Sequence, residues 1–391
     1  MNNVLITLGR LPKGLDIARS FHQAGWRVII ADPARDHLSR VSNHVTKTYH
    51  VPPPATYCED YLETLRDIVA REVIDLIVPV SEEIMYVSLL KDDPKLKSLL
   101  FSMDHDLIHR THDKGAFIAL CQSLDLPVPE TAHADKNEAL EIARSGPFIT
   151  KPIHSCAGDR VSLYERGDAF TPDPERLVQR RLIGEEVSTC SLARNGKRQA
   201  TSVYRGTLMG GTVAVAFERI ENYAVMRWID RFITETQWTG FISFDFIIDT
   251  GGVPHAIECN PRITSGIHFF ETADIARAIL DENHHIKFRP ERRLMQFWSC
   301  MEELQKAFGD RQKILKVVAH LAACRDVTWA WRDPLPLLTM PWTARGIIKA
   351  ARQNAVPFGI AATRDLIWTG RTETVHDPVQ SSEPIRESAY R

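Results

Sequence analysis

Residues 240–249 (GFISFDFIID) and 253–260 (VPHAIECN) alternate apolar and polar side chains in opposite senses around Thr250-Gly251-Gly252-Val253. Alternation of period two marks strands with one buried face, and a glycine-containing turn between two such runs reads as a β-hairpin. If Asp249 pairs with Pro254, opposed positions sum to 503 and Asp245 lies directly opposite Glu258. Directly opposed residues share a face, with Cβ atoms about 4.5–5.5 Å apart. Asn260, two residues on, shares it too. Phe244, Phe246, Ile257 and Cys259 are then expected to point the other way, into a core.

Two adjacent carboxylates in low dielectric repel, so they need a shared proton or a cation between them. Carboxylate and amide oxygens without imidazole or thiolate suit magnesium, which completes its octahedron with nucleotide phosphates. Arg262 adds a fixed cation beside them.

The rest of the chain sets this hairpin in an α/β frame. Strand-like residues 4–8, a helical pattern over 15–24 and strand 26–31 give a βαβ unit. Helix 59–71 and the apolar run 73–80 continue it as a parallel sheet covered on both faces. The turn Gly9 to Gly14 is neither GxGxxG nor a P-loop, and Asp32 at its strand end reads as a turn cap rather than a ribose ligand. A helix from about Lys114 to Leu124 opens a second region. Strand 147–151 ending on Lys151, strand 177–182, a strand-rich stretch 186–218 turning at Asn195-Gly196 and Gly210-Gly211, helix 222–237 and the hairpin follow. Helical patterns return around 300–307 and 344–352, and the polar stretch from about 371 reads as a disordered tail.

Composition excludes several function classes. A 44% apolar, 25% charged chain of net charge -2 has no electrostatic call on nucleic acid. Seven scattered cysteines without a CxxC pair make neither a disulfide framework nor a zinc site. There is no signal-peptide pattern and no apolar run of membrane-spanning length, so a cytoplasmic protein without a membrane partner is expected.

The run GFISFDF…ECNPR closely resembles the metal-binding end of ATP-grasp enzymes: the carboxylate–amine ligases and their carbamoyl-phosphate-synthase-like and biotin-carboxylase-like relatives. The resemblance covers roughly residues 1–290. It implies an α/β (α+β) ATP-grasp fold with a Rossmann-like pre-ATP-grasp domain at 1–110 and the ATP-grasp domain at 111–290 with ATP between its two subdomains; residues 291–370, with their helical patterns, read as a C-terminal extension. By the same resemblance Asp245, Glu258 and Asn260 hold the magnesium of ATP, with manganese as a substitute, and Arg262 contacts the phosphate or acyl phosphate. Lys114 and Lys151 contact phosphates, and the small-residue loop 154–160 covers them, with His154 structural. Gln179, Arg180, Leu182 and Glu186 form the adenine and ribose hinge, Gln179 standing where an acid is usual, while Glu185 reads as a solvated turn. Ser243 replaces an Arg that holds the reacting carboxylate in some relatives, a role left to Arg262 or Arg205. Thr264 to His268 line the substrate pocket, with small residues there for close approach to the acyl group.

The activity so implied is an ADP-forming ligase joining a small carboxylate to an amine through an acyl phosphate, with Arg262 and Lys151 as catalytic residues and a homodimer as an option. A carboxylase-like or other phosphoryl-transfer enzyme and a non-catalytic ATP-binding module are the rivals. The extension is expected to close over the acceptor site or pack against the first domain.

Overall fold

The computed structural model describes residues 1–154, 161–211, 213–354, 356 and 358–368. Most of the expected loop 154–160 and the expected tail therefore lie outside the described residues.

The first unit runs β1 (Asn3–Ile6), α1 (Pro12–Gln23), β2 (Arg27–Asp32), β3 (Lys47–His50), α2 (Cys58–Glu72) and β4 (Leu76–Val78), a parallel sheet in the order β3-β2-β1-β4. β1, β2 and β4 are mostly buried apolar runs, whereas the edge strand β3 buries only Tyr49. Pro12 starts α1 earlier than the periodicity indicates, because a first-turn proline gives up an N–H that has no helical partner anyway. The expected strand 73–80 is shorter: Val73 ends α2 in the left-handed region at φ 51°. Asp32 accepts bonds from the backbone of Gly9, Arg10 and Ala34 and from the Arg10 guanidinium, so both oxygens are committed to the fold, as a turn cap requires.

After α3 (Ile84–Val87) and α4 (His105–His112), Asp113 caps α5 (Lys114–Ser123) by accepting from the Ala116 N–H. A small antiparallel sheet follows, from β5 (Thr131–His133), β6 (Phe148–Pro152), β7 (Ser162–Tyr164) and β8 (Arg176–Arg180) in the order β5-β8-β6-β7, with α6 (Asn137–Ser145) against it. The larger sheet, ordered β13-β12-β9-β10-β11-β14-β15, takes in β9 (Gly184–Arg194), β10 (Lys197–Gly210) and β11 (Val213–Ile220), then β12 (Gly240–Asp249), β13 (Pro254–Asn260), β14 (Arg293–Met295) and β15 (Arg325–Asp326). Between β11 and β12, α7 (Tyr223–Thr236) buries Val225, Trp228, Ile229, Phe232 and Ile233, one helical stripe, against Phe244 and Phe246 of β12.

The hairpin register is mixed. Ser243, Phe244 and Asp245 face Asn260, Cys259 and Glu258, as expected, but Phe246, Ile247 and Ile248 face Ala256, His255 and Pro254. A bulge at Ile257 reconciles the two halves. Ile257 is therefore not a core residue: it is only partly buried and lines the cleft, and Ala256 takes the core place.

The remaining helices are α8 (Thr272–Leu280), α9 (Phe297–Lys306), α10 (Arg311–Ala323) and four short ones between Leu335 and Ala361. Residues 328–368 fasten onto the first unit. Arg19 binds Asp333, Arg10 binds Asp365, and Trp368 packs edge-on against Tyr86. No helix among the described residues is long and apolar enough to cross a membrane.

Candidate active site

A cleft of about 1270 Å³ opens between the first unit, the small sheet, the large sheet and the C-terminal segment. On the first unit it lies beyond the carboxyl ends of β1 and β4, where the strand order reverses and α/β sheets place their ligands.

Its floor is the hairpin. Ser188 on β9 donates to Asp245 Oδ1 at 2.6 Å, and Asn260 Nδ2 donates to Oδ2 at 3.1 Å. Burial, and then the neighbouring Glu258 charge, push the Asp245 carboxyl up to about 6. Among the described residues no three His, Cys, Asp or Glu side chains cluster to hold a metal unaided. The donor set of two carboxylates and an amide fits a hard ion whose remaining ligands come from phosphates.

Lysines frame this floor. Lys114, in the first turn of α5, is buried with Nζ 3.4 Å from Glu258 Oε1. Lys151 at the end of β6 is buried too. Its Nζ donates to Gln179 Oε1 at 3.0 Å and to the Ile257 carbonyl at 2.9 Å, which the bulge turns inward, and burial lowers it to about 7. Gln179 thus has its amide oxygen taken by Lys151 and its nitrogen by Thr131, rather than free to face an adenine. Arg180 spends its guanidinium on Glu130, Ser145 and the Ile142 carbonyl. Gln179, Arg180, Leu182 and Glu186 all line the cleft, with Glu186 exposed.

Arg262 Nε donates to Glu82 Oε1 at 2.8 Å. Glu82 comes from the first unit, is almost fully buried and also meets His112 at 3.3 Å. Arg205 lies in an exposed network with Glu185 and Glu218, off the cleft, and so is not placed to hold a reacting carboxylate. Ser243 instead donates to the Arg262 carbonyl and so fixes that residue's backbone.

His268 lines the cleft but is buried, 2.6 Å from Asp16 and stacked near Phe217. Gly266 is required by the fold rather than by a ligand. A Cβ there would come within 2.4 Å of Ser202 Oγ and 2.6 Å of Cys190 Cβ. His154 lies 3.8 Å from Asp113 and stacks parallel to His112.

Two cleft residues escape a linear reading. Lys13 donates to Ser81 Oγ at 2.9 Å and to the Ile263 carbonyl at 2.7 Å, and burial, then Arg262, lower it to about 7. Glu82 is the other. The one signal for both is position, since they follow β1 and β4 at the sheet's carboxyl edge.

Residues 111–266 match the sequence model of an ATP-grasp domain. No curated protein matches the chain in sequence. Among solved structures, N5-carboxyaminoimidazole synthetase from Staphylococcus aureus is similar with a TM-score of 0.62 at 15% identity, over 79% of this chain and 86% of that one. An L-amino acid ligase from Bacillus licheniformis is similar at 0.55 and 12%, over 72% and 74%. The biotin carboxylase domain of the Hydrogenobacter thermophilus 2-oxoglutarate carboxylase, solved with MgADP, ADP and bicarbonate, is similar at 0.55 and 14%, over 68% and 65%. The large sheet carries the acidic hairpin and the small sheet carries Lys151; residues 111–266 match an ATP-grasp domain in sequence, and the chain shares the fold of these solved structures.

Proposed function

We propose that this protein is an ADP-forming ligase that activates a small carboxylate with ATP and couples it to an amine. The observation that carries the reading is the Asp245–Glu258 pair, its Asp245 carboxyl pushed up to about 6, with Lys151 and Arg262 lining the same cleft and Lys114 3.4 Å from Glu258.

Magnesium, or manganese in its place, held by Asp245, Glu258 and Asn260, would neutralise charge on the ATP phosphates. Phosphoryl transfer then rests on positioning and electrostatics. Lys114 and Lys151 lie against the same carboxylate face and orient phosphate oxygens. Arg262, its Nε tied to Glu82, faces the reacting group from the cleft wall. A substrate carboxylate oxygen attacks the γ-phosphorus, the bond from that phosphorus to the bridging oxygen breaks, and ADP leaves. The amine nitrogen attacks the acyl carbon, phosphate departs with the C–O bonding pair, and the nitrogen loses a proton. No protein nucleophile is needed. Leu182 and Glu186, at the other end of the cleft, are assigned to adenine and ribose.

A second reading, carboxylation with bicarbonate as the activated acid, draws support from two of the similar folds, whose names are those of carboxylating enzymes. ADP release separates the two. Turnover that requires a carboxylic acid and an amine together, and does not rise with bicarbonate alone, is the expected result. Bicarbonate-driven turnover supports the second reading, and no ATP consumption with any acceptor sinks both.

A further inference from the structure

The C-terminal segment carries a surface that the cleft chemistry does not use. Leu335–Leu338, Met340–Thr343 and Arg345–Asn354 follow one another with single-residue breaks, and i→i−4 bonds from Thr339, Thr343, Ala344 and Ile348 carry the helical path across them. The run 335–354 is thus three short helical segments in close succession, with an inner and an outer side. Met340, Thr343, Ala344 and Ile347 face inward and line the cleft. Leu335, Leu338, Trp342, Arg345, Lys349 and Arg352 are all exposed and line no part of it.

That outer face is exposed: Leu335 by 52%, Leu338 by 54% and Trp342 by 67%, with Trp331, just before the run, at 84%. Its apolar half passes directly into a cationic half. Residues 334–363 contain no Asp or Glu, although the whole chain has net charge -2. The flanking acids point inward, Asp333 to Arg19 and Asp365 to Arg10. Arg345 meets Asp36 at the surface, while Lys349 and Arg352 form no ion pair among the described residues.

We propose that this face docks on an anionic lipid surface. Exposed Trp and Leu on one side of the segment, continued by Lys349 and Arg352 with no acid of the segment's own, is the pattern of helices lying in a bilayer interface, with rings at headgroup depth and cations on lipid phosphates. A second copy of the chain fits less well. An antiparallel two-fold contact sets Arg345, Lys349 and Arg352 against Trp342, Leu338 and Leu335, and a parallel one sets the cations against their own copies; either buries cations without an acid from the segment to match them. The expectation of no membrane partner rested on the lack of a spanning segment, and helices lying on the surface need none.

Full-length protein is sedimented with vesicles of phosphatidylcholine, with and without phosphatidylglycerol. Binding is expected to the anionic vesicles alone and to weaken with salt. Since each basic residue near such a surface is worth about 1 kcal/mol, Lys349→Glu with Arg352→Glu should weaken binding about tenfold or more. Trp331→Ser with Trp342→Ser should weaken it by a similar factor. Both pairs are exposed, so an unchanged thermal midpoint is expected to show the fold intact. Equal binding to neutral and anionic vesicles, no vesicle binding, or charge-reversed protein that binds like wild type would each overturn the proposal. Self-association in sedimentation velocity, lost with Trp342→Ser and without vesicle binding, would overturn it in favour of a second copy.

Discussion

Glu258→Gln should lower ATP turnover by about 10²–10³-fold, the usual cost of deleting one preorganised electrostatic group from a closed site. The amide keeps the side chain's size and its neighbour Lys114 but removes half of the charge that would hold a divalent ion. It also removes the second cause of the Asp245 elevation, so the Asp245 carboxyl should fall toward its ordinary range and the ligand-free thermal midpoint should hold or rise. That combination, activity lost and stability kept, separates a ligand platform from a structural acid. Near-normal ADP formation by Glu258→Gln would show that Glu258 is not part of the phosphoryl-transfer site.

The largest stability effect is expected at Trp228. Its indole is 4% exposed, stacks on Phe232 at 5.6 Å, meets Phe244 and Phe246 edge-on at 5.1 Å each, and donates from Nε1 to the Pro127 carbonyl. Trp228→Ala removes the ring that joins α7 to the rear of the hairpin and leaves a cavity. Large-to-small changes of this kind cost about 3–5 kcal/mol. Pro127 also accepts from the Ala256 N–H, so the damage lies behind the strand that carries Glu258. Urea unfolding followed by tryptophan fluorescence and by circular dichroism is the check. A loss below about 1 kcal/mol would mean that α7 is not what holds the hairpin flat.

The contrast between what the chain reveals and what it hides is physical. Strand alternation and a glycine turn placed Asp245 opposite Glu258, and the register agrees at that end. It does so through a bulge that no pattern announces, because Ile257 suits a core position and a cleft wall equally well. The buried strands and α7 were legible because their periods are strong. Lys13 and Glu82 were not, since their partners Ile263 and Arg262 stand 250 and 180 positions away and only the folded sheet edge brings them together. Gln179 fits a hinge by its neighbours in sequence, whereas its hydrogen bonds are decided by Lys151 on the adjacent strand. In the extension, Pro336 and Pro341 look like breakers, yet each sits in the first turn of a helical segment where a missing N–H costs nothing.

The central claim, that Asp245, Glu258 and Asn260 form a divalent-ion platform for a nucleotide, is tested most directly by thermal unfolding with ADP at pH 5 and pH 7.5, with magnesium or with chelator. Between the ordinary aspartate value and about 6 the folded protein keeps a proton on Asp245 that the unfolded chain has released. Ligand-free stability therefore falls as pH rises through that window and stays lower above it. A cation between the carboxylates favours their ionised forms. Magnesium with ADP should thus raise the midpoint more at pH 7.5 than at pH 5, and ADP with chelator should raise it little at either. An equal rise with ADP in chelator, or a magnesium effect that Glu258→Gln leaves untouched, would contradict it.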